Sequence, residues 1–522
     1  SVVGPSGGPA AVAARFPEPQ VTFGTPAFEP GRTGFTTNEE LGAIVHGLAR
    51  SAAIGEHSSE VTVIPLGASQ AGAPIEALAF TRPVPPGSVA GIAISAATAP
   101  RRPTVVVLAA QHGDEPAGTE ALIVLAQELA AGRLPGVLDR VDVVLLPRAN
   151  PDGAAAFRRE AADGSDINRD HLLLHTPEAR AIAELMASFA PLVVLDLHEY
   201  PVGGAFTAKF GGVQRFDALL QYAMTGNLAP FVTKAAEEWF RQPLLASLRK
   251  AGLSVDWYAT ASADPADRTL SMGSVAPQVG RNAVGLRNAV SLLVETRGGG
   301  LGRVDLKRRV QAHLVAATTV LASAAGHADD LTKLRQFVDR ETIAFACQGQ
   351  VVIEAAPTPS EYGYTVIDPS SGEIRRLTVA WESALQLRTL KSRSRPCGYW
   401  LAPGQTEAVR RLRLLGVEVR QIDELGELRA EGYREIGREA VAGGPAANAG
   451  AAMRLKVQTQ PALLDVAAGG FYVSLEQPLA HLAVAALEPE APASFAANGV
   501  ITDLASEARI LVRPQIRTTA VP

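Results

Sequence analysis

"VVVLAAQHGDEPAGTEALIVL", residues 105–125, passes from a run of Val and Leu through Gln111-His112-Gly113-Asp114-Glu115 into a helical pattern. A continuous apolar run, in place of an alternating one, reads as a strand buried on both faces, as in a parallel sheet covered by helices. The polar break falls where that strand must turn into a helix. In an open parallel sheet, the carboxyl ends of the strands converge on a crevice whose loops carry function. Two readings follow for His112 and Glu115: they cap the next helix, or they share an ion.

The same texture recurs along the chain. "VDVVLLP" (141–147), "LVVLDLHEY" (192–200) and "AVSLLVET" (289–296) read as further buried strands. "PAGTEALIVLAQELAAG" (116–132), "TPEARAIAELMASFA" (176–190) and "LGRVDLKRRVQAHLVAATTVLASAA" (301–325) read as the helices between and after them. Upstream, Thr37 and Glu40 stand at capping-box spacing and predict a helix near 38–52. "EVTVIPLG" (60–67), "IEALAFTRP" (75–83) and "AGIAISAA" (90–97) read as short strands. Beyond residue 335, "GYTVIDPSSGEIRRLTVAW", "LGVEVRQI", "MRLKVQTQ" and "GFYVSLEQPLAHLAVAALEP" predict short strands and turns, with "EAVAGGPAANAGAAM" (439–453) as a low-complexity loop. The expected class is α/β: a mostly parallel mixed sheet flanked by helices, followed by a β-rich C-terminal accessory domain. The expected division is a flexible segment at 1–34, a catalytic domain at 35–330 and the accessory domain at 335–522.

Composition narrows the function. A chain of 522 residues, 47% hydrophobic and 19% charged, supports two or three packed domains. The net charge of −5 without a basic block argues against nucleic acid. No apolar stretch reaches the roughly 18 residues a membrane span needs. Two cysteines exclude a thiolate-rich metal site; Cys347 and Cys397 either pair in an oxidising compartment or remain two isolated small residues. The opening "SVVGPSGGPAAVAARFPEPQ" is small and Pro/Gly-rich, and reads as flexible. A removed export signal would account for it, so a periplasmic or secreted protein is expected.

Three strand ends finish in residues capable of chemistry: His112 with Glu115, His198, and Glu295. Period-two alternation places Asp196 and His198 on one face of their strand. Two imidazoles and one carboxylate leave a divalent zinc with net positive charge and an open position, the pattern of a catalytic site. Such an ion lowers the pKa of its water from about 15.7 toward 7. "RANPDGAAAFRREAADGSDINRDH" (148–171) is too polar for the interior and reads as a long active-site loop. Its Arg159 and Arg169 offer guanidinium forks suited to an oxyanion or carboxylate, and Asn168 adds amide donors.

"HGDE", "NPDG", the R-x-x-x-x-G-x-D-I-N-R-D pattern, "DLHE" and "LLVETRG", in this order, resemble the zinc carboxypeptidase family of the carboxypeptidase A/B type over residues 35–328. The resemblance implies that His112, Glu115 and His198 hold zinc and that Glu295 is the general base for the attacking water. It implies Arg159 for the oxyanion, with Arg158 as its rival, Asn168 and Arg169 for the substrate's terminal carboxylate, and Asp166 as the residue orienting His112. The family's substrate-capping tyrosine has no counterpart in "TLSMGSVAPQVGRNAVGLRNAV" (269–290); Tyr258, another residue or none takes that role. "RNAVGLRNAVSLLVE" (281–295) is similar to bacterial members with a β-rich extension. Its Arg281 and Arg287 are read as structural ion-pair partners, the alternative being an arginine in the specificity pocket that favours an acidic side chain.

The implied activity is removal of a C-terminal amino acid from a peptide. Hydrolysis of N-acyl amino acids, as in the aspartoacylase-like relatives, is the alternative. A carboxypeptidase-like binding protein without activity is a third reading, opposed by the retention of Glu295 and all three ligands. His481, in the apolar "EQPLAHLAVAALEP", is expected to be a core or interface residue. Oligomeric state is left open.

Overall fold

The computed structural model describes residues 10–53, 60–81, 102–440 and 453–521. Eight strands form the central sheet: β1 (Glu60–Ala68), β2 (Pro74–Thr81), β3 (Thr104–Ala109), β4 (Asp142–Leu146), β5 (Val193–Pro201), β6 (Ala218–Tyr222), β7 (Val255–Trp257) and β8 (Val290–Gly299). Their order is β1-β2-β4-β3-β5-β8-β6-β7. The central β4-β3-β5-β8 block is parallel, while β1/β2, β2/β4 and β8/β6 are antiparallel. The sheet is thus mixed with a parallel centre.

Successive side chains of β3 go to opposite sides, and both sides are apolar. Val105, Val107 and Ala109 join a core with helices α1 (Asn38–Ala53), α2 (Ala117–Ala130) and α5 (Leu306–Gly326). Val106 and Leu108 join the other core, with helix α3 (Pro177–Phe189) and residues between 399 and 501. Burial on both faces is why the sequence shows a continuous run in place of alternation. The remaining helices used below are α4 (Gly280–Gly285), α6 (Ala328–Ala344) and α7 (Ala480–Leu487). The capping box at the start of α1 forms as expected: Thr37 Oγ1 accepts from the Glu40 amide at 3.1 Å, and a Glu40 oxygen accepts from the Thr37 amide at 2.9 Å.

The C-terminal part is β-rich. A hairpin of Gln350–Ile367 and Ile374–Ser394 shares a five-stranded sheet with Val213–Gln214, Thr260–Ala261 and Thr269–Ser271. A seven-stranded sheet is built around a second long hairpin, Gly426–Ala440 with Met453–Val466. Cys347 and Cys397 form a disulfide that ties the end of α6 to the start of the strand Gly398–Leu401. No helix among the described residues is long and apolar enough to cross a membrane.

Three expectations need correction. The segment expected to be flexible over 1–34 is packed from Ala10 onward: Val12 and Phe16 are buried with Val202, Leu301 and Ile367, and Phe23 and Ala27 lie against α2. Val12, Phe16, Phe23 and Ala27 follow no regular period, yet each is buried. The apolar stretch after Gln477, read among strands and turns, contains helix α7, buried on every side. A helix with no polar face shows no 3.6-residue pattern. Helix α6 follows α5 after a single residue, where only a domain end was expected. The expected strand at 90–97 lies outside the described residues, as does all but the edges of the 439–453 loop.

Candidate active site

At the end of β3 the chain turns sharply through Ala110, whose φ of +57° is unusual for a residue with a Cβ. At Gly113 a Cβ would lie 1.9 Å from the backbone of Gly153, so only glycine fits this crossing of two loops. The first helical amide of α2, Ala117 N–H, donates to Glu199 Oε2 at 3.1 Å. Glu199, buried and paired with Arg309 at 2.8 Å, therefore meets the helix end. Glu115 is left free to turn toward the histidines.

Glu115 Oε2 lies 2.6 Å from His112 Nδ1, and its Oε1 lies 3.1 Å from His198 Nδ1. The opposite ring nitrogens are each backed by a carboxylate, His112 Nε2 by Asp166 Oδ1 and His198 Nε2 by Asp196 Oδ2, both at 2.9 Å. Burial opposes charge on Asp166, yet the His112 contact and the Arg159 guanidinium hold its carboxyl below the usual range. Donor atoms of His112, Glu115 and His198 all lie within 4.8 Å of one another and all three residues are buried. This set fits a divalent cation: two imidazoles and a carboxylate converge, and a second carboxylate lies against the far nitrogen of each imidazole.

Glu295 stands directly beside this cluster. In the parallel β5/β8 pairing it is in register with His198, so the same pleat carries a ligand candidate and a carboxylate. Burial pushes its carboxyl up to about 7, against the lowering effect of His198. Such a group changes charge near neutrality, as a general base should.

The polar loop between β4 and α3 is held by Asn150, the first residue of "NPDG". Its Oδ1 accepts from Gly153 N–H at 2.9 Å, and its Nδ2 donates to the carbonyls of Gln111 and Glu160 at 3.2 and 3.1 Å. One buried amide thus fixes the loop to the end of β3. Arg159 Nη2 donates to Asp166 Oδ2 at 2.9 Å, and its Nη1 lies 3.9 Å from Glu115. Arg158 bonds instead to the carbonyls of Ala161 and Ala162 in its own loop. Asn168 Oδ1 accepts from the Gly280 amide at 2.9 Å, while Arg169 forms no ion pair among the described residues and bonds only to the Asn168 carbonyl.

Two contributors, Gln111 and His171, escaped the sequence reading. Gln111 Nε2 donates to Asp196 Oδ2 at 2.7 Å, and its Oε1 accepts from His171 Nε2 at 2.7 Å. Burial lowers His171 to about 4, so it is neutral, and the Gln111 amide fixes which nitrogen carries its hydrogen. Tyr258 reaches the site from the end of β7, its ring 5.9 Å from the Arg281 guanidinium. Among the described residues neither Arg281 nor Arg287 forms an ion pair: Arg287 donates to the Leu415 carbonyl at 2.6 Å, and Arg281 to the Ser274 carbonyl at 2.7 Å.

Residues 51–202 match the zinc carboxypeptidase family. Carboxypeptidase 2 of Trichophyton rubrum is 30% identical over 401 residues, 75% of this chain and 72% of that protein. The chain belongs to the zinc carboxypeptidase family. Carboxypeptidase D of Mus musculus is 29% identical over 195 residues, 31% of this chain and 14% of that protein. Among solved structures, a metallo-carboxypeptidase from Burkholderia cenocepacia aligns with 18% identity over 56% of this chain and 69% of its own, with a TM-score of 0.38. As a zinc carboxypeptidase the protein is a metallopeptidase; neither the acyl amino acid reading nor the inactive binding protein is favoured. A carboxypeptidase needs a metal site, a base and a fixed positive group for its substrate's terminal carboxylate, and groups of all three types lie together here.

Proposed function

We propose that this zinc carboxypeptidase removes the C-terminal residue of peptides outside the cytoplasm, with His112, Glu115 and His198 as zinc ligands. The observation that carries the reading is the convergence of two Nδ1 atoms and one carboxylate beside a strand-paired Glu295. A zinc ion there supplies a Lewis acid for the scissile carbonyl and a water of lowered pKa.

The remaining chemistry belongs to the chain. Glu295 accepts the proton of the attacking water and hands it to the departing amine. Arg159, poised on Asp166, donates to the oxygen that becomes negative as the carbonyl carbon turns tetrahedral. Asn168 and Arg169 receive the substrate's terminal carboxylate, and Asp166 fixes the His112 ring. Residues 35–330 form the catalytic domain and 335–522 an accessory domain. A location in an oxidising compartment, secreted or periplasmic, is supported by the Cys347–Cys397 bridge.

The test is metal content and activity together. Wild-type protein dialysed against zinc should retain about one ion per chain and lose activity to a chelator. His198→Asn and Glu115→Gln should lose both the ion and the activity. Full activity in ion-free protein would contradict the ligand assignment.

A further inference from the structure

Arg281 is a buried cation without a counter-ion. It is 6% exposed, forms no ion pair among the described residues, and its one hydrogen bond runs from Nη2 to the Ser274 carbonyl at 2.7 Å. Its Nε is buried with no acceptor. An uncompensated charge in such a place is costly, and proteins keep buried charges paired or matched by a ligand.

Its position says which ligand. Arg281 is the second residue of α4, directly after the Gly280 amide that Asn168 holds. A Cβ at Gly280 would come within 2.7 Å of Asn168 Oδ1 and 3.0 Å of His171 Nε2, so this helix end abuts the polar loop without space between. On its other side Arg281 meets Tyr258 across Gly273, where a Cβ would lie 2.7 Å from Arg281 Nη2 and 2.8 Å from the Tyr258 ring. Burial lowers its proton affinity, and the charges of Arg169 and Glu295 act on it too, which marks the same neighbourhood. Thr269–Ser271, just before Gly273, pairs with Ala380–Glu382 of the long hairpin, so the C-terminal part braces this wall.

We infer that Arg281 is the specificity residue of this carboxypeptidase and that its open guanidinium binds the side-chain carboxylate of a C-terminal Glu or Asp. The inference rests on the proposed function, in which Arg169 takes the α-carboxylate; two separate cations then match the two carboxylates of an acidic terminal residue. A fork with free donors favours a planar carboxylate, and the uncharged amide isostere leaves the charge unmatched.

The experiment measures kcat/KM for N-blocked peptides that differ only in the last residue, Glu against Gln and Asp against Asn, with Leu and Lys for reference. The zinc-loaded wild-type enzyme should release Glu at least tenfold better than Gln. Arg281→Gln should lower kcat/KM for the Glu peptide at least tenfold more than for the Gln peptide, mainly through KM, and Arg281→Lys should keep part of the preference. A wild-type enzyme that prefers Gln, Leu or Lys overturns the inference, even if the Arg281→Gln protein does not fold. Equal losses on Glu and Gln peptides would make Arg281 a structural residue and also overturn it. Release of a neutral or basic residue leaves the carboxypeptidase reading standing, whereas release of none overturns both.

Discussion

Glu295 and Arg159 act at different moments on one reaction, and their variants should separate accordingly. Glu295→Gln removes the proton acceptor while keeping shape, so kcat should fall about 10³-fold with metal content unchanged. Arg159→Ala removes a donor to the developing oxyanion and should lower kcat roughly 10²- to 10³-fold, whereas Arg158→Ala, whose guanidinium serves its own loop, should cost far less. The pH profile has a definite sign. Glu295 works only when ionised; burial raises it from 4.5 to about 7, and a bound cation pulls it back down. Activity should therefore rise with pH along an acid limb between those values, and Glu295→Gln should abolish that limb. At this scale the sequence was readable where a strand end or a short motif isolated a residue, as with His112, His198 and Glu295. It was unreadable for Gln111, whose partners Asp196 and His171 lie far away in the chain and follow no spacing.

Helices with one polar face and strands long enough to show a continuous apolar run announced themselves, and the shortest strands and the apolar helix α7 did not. α1, α3 and the central strands follow their patterns, but α7 is apolar except for His481, and the strands at 213–214, 260–261 and 269–271 are too short to carry a period. Such elements exist only because others cover them. His481 shows the consequence. It is buried on α7, accepts from Arg395 Nη1 at 2.7 Å, and burial lowers it to about 3. The unfolded chain binds a proton near pH 6.5 that the folded protein refuses, so stability should fall as pH drops from about 6.5 toward 3. His481→Gln should flatten that dependence by up to one proton, roughly 1.4 kcal/mol per pH unit. Equilibrium urea unfolding at a series of pH values measures it. The bridge between Cys347 and Cys397 spans 50 residues, and closing such a loop restricts the unfolded chain by about 4 kcal/mol. Replacing both cysteines by alanine should lower the urea midpoint by a corresponding amount.

The molecule as a whole is joined more tightly than a catalytic domain with an appendage. One apolar core holds Ile182, Leu185 and Met186 of α3 together with Leu412, Leu475 and Leu482 from the C-terminal part, and one sheet pairs residues 213–271 with the hairpin 350–394. Calorimetry should therefore show a single unfolding transition; two well-separated ones would mean that the shared core counts for little. The alternation and turns after residue 335 made its β character legible, while this sharing was not, because long-range pairing leaves no local trace. Adding zinc should raise the transition temperature, by about 2.7 kcal/mol of stabilisation at a hundredfold excess over Kd, and a chelator should reverse it. The His112–Glu115–His198 cluster and Glu295 should together cut the last peptide bond of a peptide. Mass spectrometry of an N-blocked peptide mixture and of N-acyl amino acids, with zinc, with a chelator, and with Glu295→Gln, tests it directly. Single C-terminal residues should be lost only with the zinc-loaded wild type. Hydrolysis of acyl amino acids alone, or peptide cleavage that survives both the chelator and Glu295→Gln, would contradict it.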